Sequence, residues 1–104
     1  MVKEIKTLAE FQAEIAGTDK LIIIDFTATW CPPCQMIKPI FHKMADDMPD
    51  CVFLQIDVDV NDETAAKCGI NCMPTFQYYK NGEMIDKLEG ASEDQLKSKI
   101  AKHK

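Results

Sequence analysis

The run LIIIDF at positions 21–26 constrains the fold of this chain more than any other segment. Its aliphatic residues are consecutive and do not alternate with polar ones, which is typical of a central strand buried on both faces. We therefore predict a strand within positions 20–28, and a second buried strand in CVFLQIDVD at positions 51–59.

Helical patterns separate these strands. Apolar spacing and capping residues predict a helix from Thr7 to about Gly17, one from about Cys34 to Met48 kinked at Pro39, one from Asn61 to about Cys68, and one that begins at Ser92. Asn81-Gly82 predicts a hairpin over positions 75–90, and VKEI near the N-terminus is a weak candidate for an edge strand. This order predicts a single α/β domain over 1–104, with a mixed sheet and helices on both of its faces.

Charge and hydropathy exclude several classes of function. The formal net charge is −5 and all 12 basic residues are lysine, which argues against nucleic-acid recognition by guanidinium groups. No apolar run is long enough to span a bilayer, and the N-terminal segment MVKEIKTLAEF lacks the apolar stretch of a secretory signal. We expect a cytoplasmic protein with reduced thiols.

The segment WCPPC at positions 30–34 carries the most reactive side chains. Cys31 follows the predicted central strand, and Cys34 falls in the first turn of the next helix. A spacing of three residues places both side chains on one helical face, within the Cα separation that a disulfide tolerates. Free N–H groups and the helix dipole favour a thiolate there. Pro32 and Pro33 suit a first helical turn, where N–H groups lack intrahelical partners.

A zinc site is the main alternative for the cysteine pair. A zinc ribbon needs a second close pair some 15–20 residues away. The remaining cysteines, Cys51, Cys68 and Cys72, do not have that spacing. We therefore predict no metal site and favour a redox-active pair.

The segments IIIDFTATWCPPCQMIKP and CMPTFQYYKNGE resemble the thioredoxin family, of its eukaryotic cytosolic kind, and the resemblance extends nearly end to end. It implies a thioredoxin fold, with a central mixed sheet of four to five strands flanked by four helices. It also implies reduction of protein disulfides without a bound cofactor, with electrons drawn from NADPH through a thioredoxin reductase.

The resemblance assigns catalytic roles to three residues. Cys31 would attack a substrate disulfide, Cys34 would resolve the mixed disulfide, and Asp25 beneath them would help to move the Cys34 proton through water. Burial of Asp25 should raise the pKa of its carboxyl. Gln55 aligns where bacterial relatives often carry lysine, so we expect no cation to offset Asp25.

The resemblance also implies a shallow surface for protein substrates. Trp30 would form one wall, and a cis proline at Pro74 would expose the backbone of Met73 for pairing with an extended segment. Gly90 and Ala91 would form a third side. The predicted substrate-binding residues are Trp30, Pro32, Pro33, Met73, Pro74, Gly90 and Ala91.

The remaining cysteines, the histidines and two lysines near the pair have no predicted catalytic role. Cys72 should lie at the rim of the same surface, where its thiol could link an otherwise monomeric protein into a disulfide-bonded dimer. Cys51 and Cys68 are predicted to be packing residues. His42, His103, Lys38 and Lys43 receive no functional role.

Pro32 occupies a position where most thioredoxins have glycine. Its missing N–H should raise the pKa of Cys31, and the oxidants of the family that carry proline here imply a less reducing potential. Two alternatives to a reductase therefore stay open: a redox-dependent binding module and a more oxidising disulfide oxidase or isomerase.

Overall fold

A computed structural model describes all residues from Met1 to Lys104. The elements in chain order are β1 (Val2–Glu4), α1 (Leu8–Ala16), β2 (Ile22–Thr27), α2 (Pro32–Asp47), β3 (Val52–Asp57), α3 (Asp62–Lys67), β4 (Thr75–Lys80), β5 (Glu83–Glu89) and α4 (Glu93–His103). None of the helices combines the length and the apolar character needed to cross a bilayer.

The five strands form one mixed sheet in the order β1-β3-β2-β4-β5. β1 and β2 both run parallel to β3, whereas β4 runs antiparallel to β2 and to β5. All six residues of β2 are buried, as the apolar run predicted. The predicted fold class is confirmed, and VKEI does form an edge strand.

Alternation along β2 divides the core into two layers. Ile23 packs with Phe41 of α2 and Phe76 of β4 on one face of the sheet. Ile22 and Ile24 pack in a separate cluster on the other face. Because side chains two residues apart point the same way, Asp25 lies on the Ile23 face, beneath α2.

Three of the predicted helix starts are confirmed by capping bonds. The side chains of Thr7, Asn61 and Ser92 each accept a backbone N–H from the residue three positions later. Each bond satisfies an N–H group that the helix itself leaves unpaired.

The helix that carries Cys34 starts two residues before the approximate boundary at Cys34, and the prediction that Pro32 and Pro33 fit its first turn is confirmed. It begins at Pro32, with Cys31 as its N-cap residue and Pro39 inside it. Proline is tolerated at these first positions because the N–H groups there have no intrahelical acceptor, so the missing N–H costs no hydrogen bond.

The hairpin between β4 and β5 forms as predicted. Asn81 and Gly82 both have positive φ, 55° and 82°, which is the backbone of a type I′ turn. This turn lies at the end of β4 remote from Thr75, and hence remote from the cysteine pair.

Candidate active site

Cys31 and Cys34 form a disulfide at the start of α2, with their Cα atoms 5.3 Å apart. The backbone N–H of Cys34 donates to Sγ of Cys31 over 3.3 Å. Pro32 and Pro33 have no N–H, so this is the first backbone donor that α2 offers to the sulfur. The arrangement supplies the positive helix end and the donor that stabilise a thiolate once the pair is reduced.

The two cysteines differ in their access to solvent. Cys31 is 5% exposed, whereas Cys34 is completely buried. They pack with buried Ala28 and half-buried Met73. Cys31 is therefore largely covered, but it is the only member of the pair that touches solvent.

The loop before β4 borders the disulfide. The Met73–Pro74 peptide bond is cis, as the resemblance implied. The carbonyl oxygen of Met73 lies 3.7 Å from Sγ of Cys31. Gly90 donates its N–H to the carbonyl oxygen of Pro74 over 2.9 Å, so the Gly90–Ala91 turn is joined to the same loop. The structure thus places Met73 beside Cys31 and joins Gly90 to Pro74 in the same loop.

Trp30 directly precedes Cys31 in the chain and is 63% exposed. Its indole Nε1 donates to the Asp59 carboxylate over 2.7 Å, and the backbone N–H of Asp59 donates to Oδ1 of Asp57. Asp59 was not predicted as a partner of Trp30, because nothing in the acidic run after β3 distinguishes the one carboxylate that bonds to the indole.

The buried carboxyl of Asp25 has no hydrogen-bond partner. The residue is 0% exposed, and neither carboxylate oxygen is paired within the protein. Removal from water raises the pKa of Asp25 to about 7, and the positive charge of Lys38 opposes that rise. Our expectation that no cation acts on Asp25 was therefore wrong. Lys38 is exposed at the surface, but its charge reaches the carboxyl.

The three cysteines outside the pair differ in their exposure. Cys72 is exposed and precedes Met73, whereas Cys51 is buried and Cys68 is half-buried. Burial raises the pKa of both the Cys51 and the Cys68 thiols. Their surroundings thus fit small packing side chains, while Cys72 is the accessible thiol at the rim of the site.

Two clefts indent the surface, and neither contains the cysteine pair. A cleft of about 270 Å³ lies between α2 and α4. One of about 210 Å³ is lined by Val2, Glu4, Lys38, His42 and Gln55. The disulfide itself lies on a shallow surface, and the protein contains no group of three or more histidine, cysteine or acidic side chains suited to a metal ion.

Comparisons with known proteins agree with this geometry. The family model described as thioredoxin matches residues 2–102. Thioredoxin from Ophiophagus hannah is 49% identical over 104 residues, covering 99% of each chain. Thioredoxin from Gallus gallus is 48% identical over 101 residues, covering 96% of each. The X-ray structure of Fasciola hepatica thioredoxin superposes with a TM-score of 0.96 at 38% identity, covering 98% of this chain and 99% of the other.

Proposed function

This chain belongs to the thioredoxin family and reduces protein disulfides by dithiol–disulfide exchange, and we propose that Cys31, Cys34 and Asp25 divide the work of that reaction. It is a thiol–disulfide oxidoreductase of a family that needs no bound cofactor. The observation that carries the proposal is the position of Cys31: it is the N-cap of α2, accepts the Cys34 N–H, and alone of the pair touches solvent.

Cys31 attacks first. In the reduced protein, the Cys34 N–H and the dipole of α2 stabilise the Cys31 thiolate. Its sulfur forms a bond with one substrate sulfur, and the substrate S–S bond breaks. The other substrate sulfur leaves as a thiolate and takes a proton from solvent.

Cys34 then resolves the mixed disulfide. The Asp25 carboxylate accepts the Cys34 proton, through water, because burial has raised the pKa of Asp25 close to neutrality. The Cys34 thiolate attacks Sγ of Cys31, and the S–S bond between Cys31 and the substrate breaks. The substrate sulfur leaves as a thiolate and takes a proton from solvent. Two electrons have then passed to the substrate, and Cys31–Cys34 is again a disulfide.

The substrate lies across the surface around Cys31. Trp30 forms one border of it, and the Met73 backbone next to Pro74 pairs with an extended substrate segment as an added strand would. Support comes from the 3.7 Å between Met73 O and Cys31 Sγ, which puts a paired segment beside the reacting sulfur. Pro32 and Pro33, with Gly90 and Ala91, complete this surface.

Thioredoxin reductase and disulfide-containing proteins are the partners that membership of this family implies. We further propose that NADPH supplies the electrons through the reductase, and that the single domain 1–104 works in the cytoplasm without nucleic acid or membrane. It acts as a monomer that can form a dimer through Cys72.

Trapping of mixed disulfides tests whether Cys31 attacks and Cys34 resolves. Cys34→Ser should accumulate mixed disulfides between Cys31 and substrate proteins, which reducing agents release. The matched variant Cys31→Ser should trap none. Mixed disulfides on Cys34 in the Cys31→Ser protein, at the yield of Cys34→Ser, would show that the two roles are exchanged.

Insulin reduction separates the reductase from a redox-dependent binding module. Catalytic turnover with a dithiol reductant is expected of the reductase. Stoichiometric binding of partners in one oxidation state, with no turnover, would instead support the module.

A further inference from the structure

A row of apolar side chains runs along α2 from the cysteine pair toward α4. Its members follow one another at intervals of four residues: Met36, Ile40, Met44 and Met48. Met36 is 59% exposed, Ile40 is half-buried, and Met44 is 4% exposed. Four residues exceed one helical turn of 3.6, so the row winds round the helix, out of solvent and toward α4.

This row leads into the larger of the two clefts, which lies between α2 and α4. Ile40, Met44 and Met48 are the hydrophobic residues that line its volume of about 270 Å³. Pockets that hold a whole drug-sized molecule usually measure roughly 300–1,000 Å³. The cleft is smaller and therefore suits one or two large apolar side chains of a protein partner. Methionine is flexible and polarisable, so its side chains adapt to partners of different shape.

The charges at the rim of the cleft neutralise one another. Nζ of Lys43 lies 3.2 Å from the Asp47 carboxylate, and Nζ of Lys97 lies 2.6 Å from the Glu93 carboxylate. Each pair is formed within one helix, so the rim carries no net charge. Nothing at the rim selects a partner by the sign of its charge, and the face that fits this cleft is apolar.

The exposed end of the row lies next to the reactive disulfide. Met36 follows Pro32 by four residues, so the two side chains are neighbours on the surface of α2. Met44 lies twelve residues beyond Pro32, which is about 18 Å along the helix axis. Extended residues advance about 3.3 Å each. A protein that is bonded to Cys31 therefore reaches the cleft with a segment of about six residues.

A single exposed methionine would need no explanation, because scattered apolar residues are common on protein surfaces. Met84 and Ile85 on β5 are such residues, 48% and 40% exposed, and neither of them lines a cleft. Met36 differs because it belongs to a row that connects the disulfide with an apolar cleft.

We propose that this row, the α2 groove, is a second docking surface for oxidised protein substrates, and that it takes apolar side chains about six residues away from the substrate cysteine that bonds to Cys31. The inference rests on the attacking role of Cys31 proposed above. It adds a preference among substrates, since a disulfide with an apolar segment at this distance is reduced more efficiently than one without it.

Two peptides test the preference. Each has one cysteine in a disulfide with a chromophoric thiol, then a spacer of about six glycine and serine residues, and then either two leucines or two serines. The ratio of kcat/KM for the leucine peptide to that for the serine peptide should be about ten in the wild type. Tenfold corresponds to about 1.4 kcal/mol, which the burial of about 60 Å² of apolar surface supplies. The difference should lie in KM rather than in kcat, because the groove is remote from the reacting sulfurs.

Lysine substitutions locate the preference on α2. Met36→Lys and Met48→Lys change side chains that have access to solvent, and each should bring the ratio close to one. Met84→Lys is the matched control outside the groove and should keep a ratio of about ten. Both peptides are compared on the same protein, so a general loss of activity cancels from the ratio. A ratio near one in the wild type, or an unchanged ratio in either groove variant, would overturn the proposal.

Salt and the reductase distinguish other occupants. Because the rim is neutral, the ratio should not fall between about 0.05 M and about 0.5 M salt. A fall would show that the partner binds through charge, against the apolar contact proposed. If Met36→Lys and Met48→Lys raised the KM for thioredoxin reductase while the peptide ratio stayed near ten, the groove would belong to the reductase and the proposal would be wrong. The role of Cys31 fails separately, if trapping places the substrate on Cys34.

Discussion

The exposed indole of Trp30 is fixed by Asp59, whose carboxylate accepts its N–H over 2.7 Å. The bond joins the loop that precedes Cys31 to the loop that follows β3. It restrains a large side chain that is 63% exposed and therefore has little packing to hold it in place.

Removing the hydrogen bond between Trp30 and Asp59 should lower the efficiency with which protein disulfides are reduced. Asp59→Ala is expected to lower kcat/KM for insulin reduction about fivefold, if the contact contributes about 1 kcal/mol. Asp59→Asn keeps an acceptor oxygen, so its kcat/KM for insulin should fall less than that of Asp59→Ala. Reduction of a small aromatic disulfide, which does not need a fixed indole wall, serves as the control. An equal loss with both substrates would point to the cysteines rather than to Trp30.

Asp25 should make the protein less stable as pH rises. Its folded pKa is raised from 3.8 to about 7, so the folded state holds a proton between these values that the unfolded state has released. Stability contributed by this group is present below about pH 4 and is lost progressively up to about pH 7. The full loss is on the order of 4 kcal/mol.

Urea unfolding measures this loss. Asp25→Ala should stabilise the protein by several kcal/mol more at pH 8 than at pH 4, for the reason just given. Asp19→Ala, at an exposed position, should show no such difference between the two pH values. A constant effect of Asp25→Ala across this range would contradict the raised pKa.

Resolving of the mixed disulfide should depend on pH through Asp25. The carboxyl accepts a proton only when ionised, so the rate should rise with pH up to about 7 and level off above it. Asp25→Asn should resolve more slowly and lose this inflection. Stopped-flow release of a chromophoric thiol from Cys31 measures the rate, and an unchanged profile in Asp25→Asn would exclude the carboxyl.

Pro32→Gly should lower the pKa of Cys31. The glycine restores an N–H in the first turn of α2, near a sulfur that now accepts only from Cys34. A shift of about half a unit to one unit is expected for one net hydrogen bond. The rate of alkylation by iodoacetamide as a function of pH gives the value. No shift would mean that the added N–H points away from the sulfur.

Pro32 has two opposing effects on the reduction potential of the Cys31–Cys34 disulfide. The resemblance described in the sequence analysis predicts a less reducing pair for proline at this position. The lost donor acts the other way, because a thiolate that is less stabilised favours the disulfide. Equilibration of wild type and Pro32→Gly with glutathione decides which effect is larger.

Cys72 is the thiol through which oxidation should link two copies. It is exposed, whereas Cys51 is buried and Cys68 is half-buried with the pKa of its thiol raised. Mild oxidation should give a dimer band on a non-reducing gel for wild type and for Cys68→Ser, but not for Cys72→Ser. A dimer that persists in Cys72→Ser assigns the link to another cysteine.

Local sequence patterns were sufficient to predict the fold. Apolar periodicity, capping side chains and the Asn81-Gly82 turn each depend on residues close in the chain, so they indicate an element without knowledge of its neighbours. The apolar stripe of α2 placed its start only approximately, near Cys34, whereas the fit of proline to a first helical turn indicated the true start at Pro32.

The site was predicted less completely. The cysteine pair and Asp25 stand out by spacing and by an interrupted apolar run. By contrast, the bond from Trp30 to Asp59 and the bond from His42 to Gln55 join residues 29 and 13 positions apart. Such contacts depend on tertiary geometry, and no short-range pattern indicates them. Lys38 was overlooked for the same reason, since only the packing of α2 over β2 brings its charge near Asp25.

At Asp25, near the centre of β2, selection for catalytic activity and selection for a stable fold favour different residues. In the mechanism proposed above, ionisation of its carboxyl group serves turnover, and its raised pKa means that ionisation weakens the folded state, so no single residue at this position can be best for both. A library screened at neutral pH for heat resistance alone should therefore enrich apolar replacements of Asp25, and the survivors should be poor enzymes.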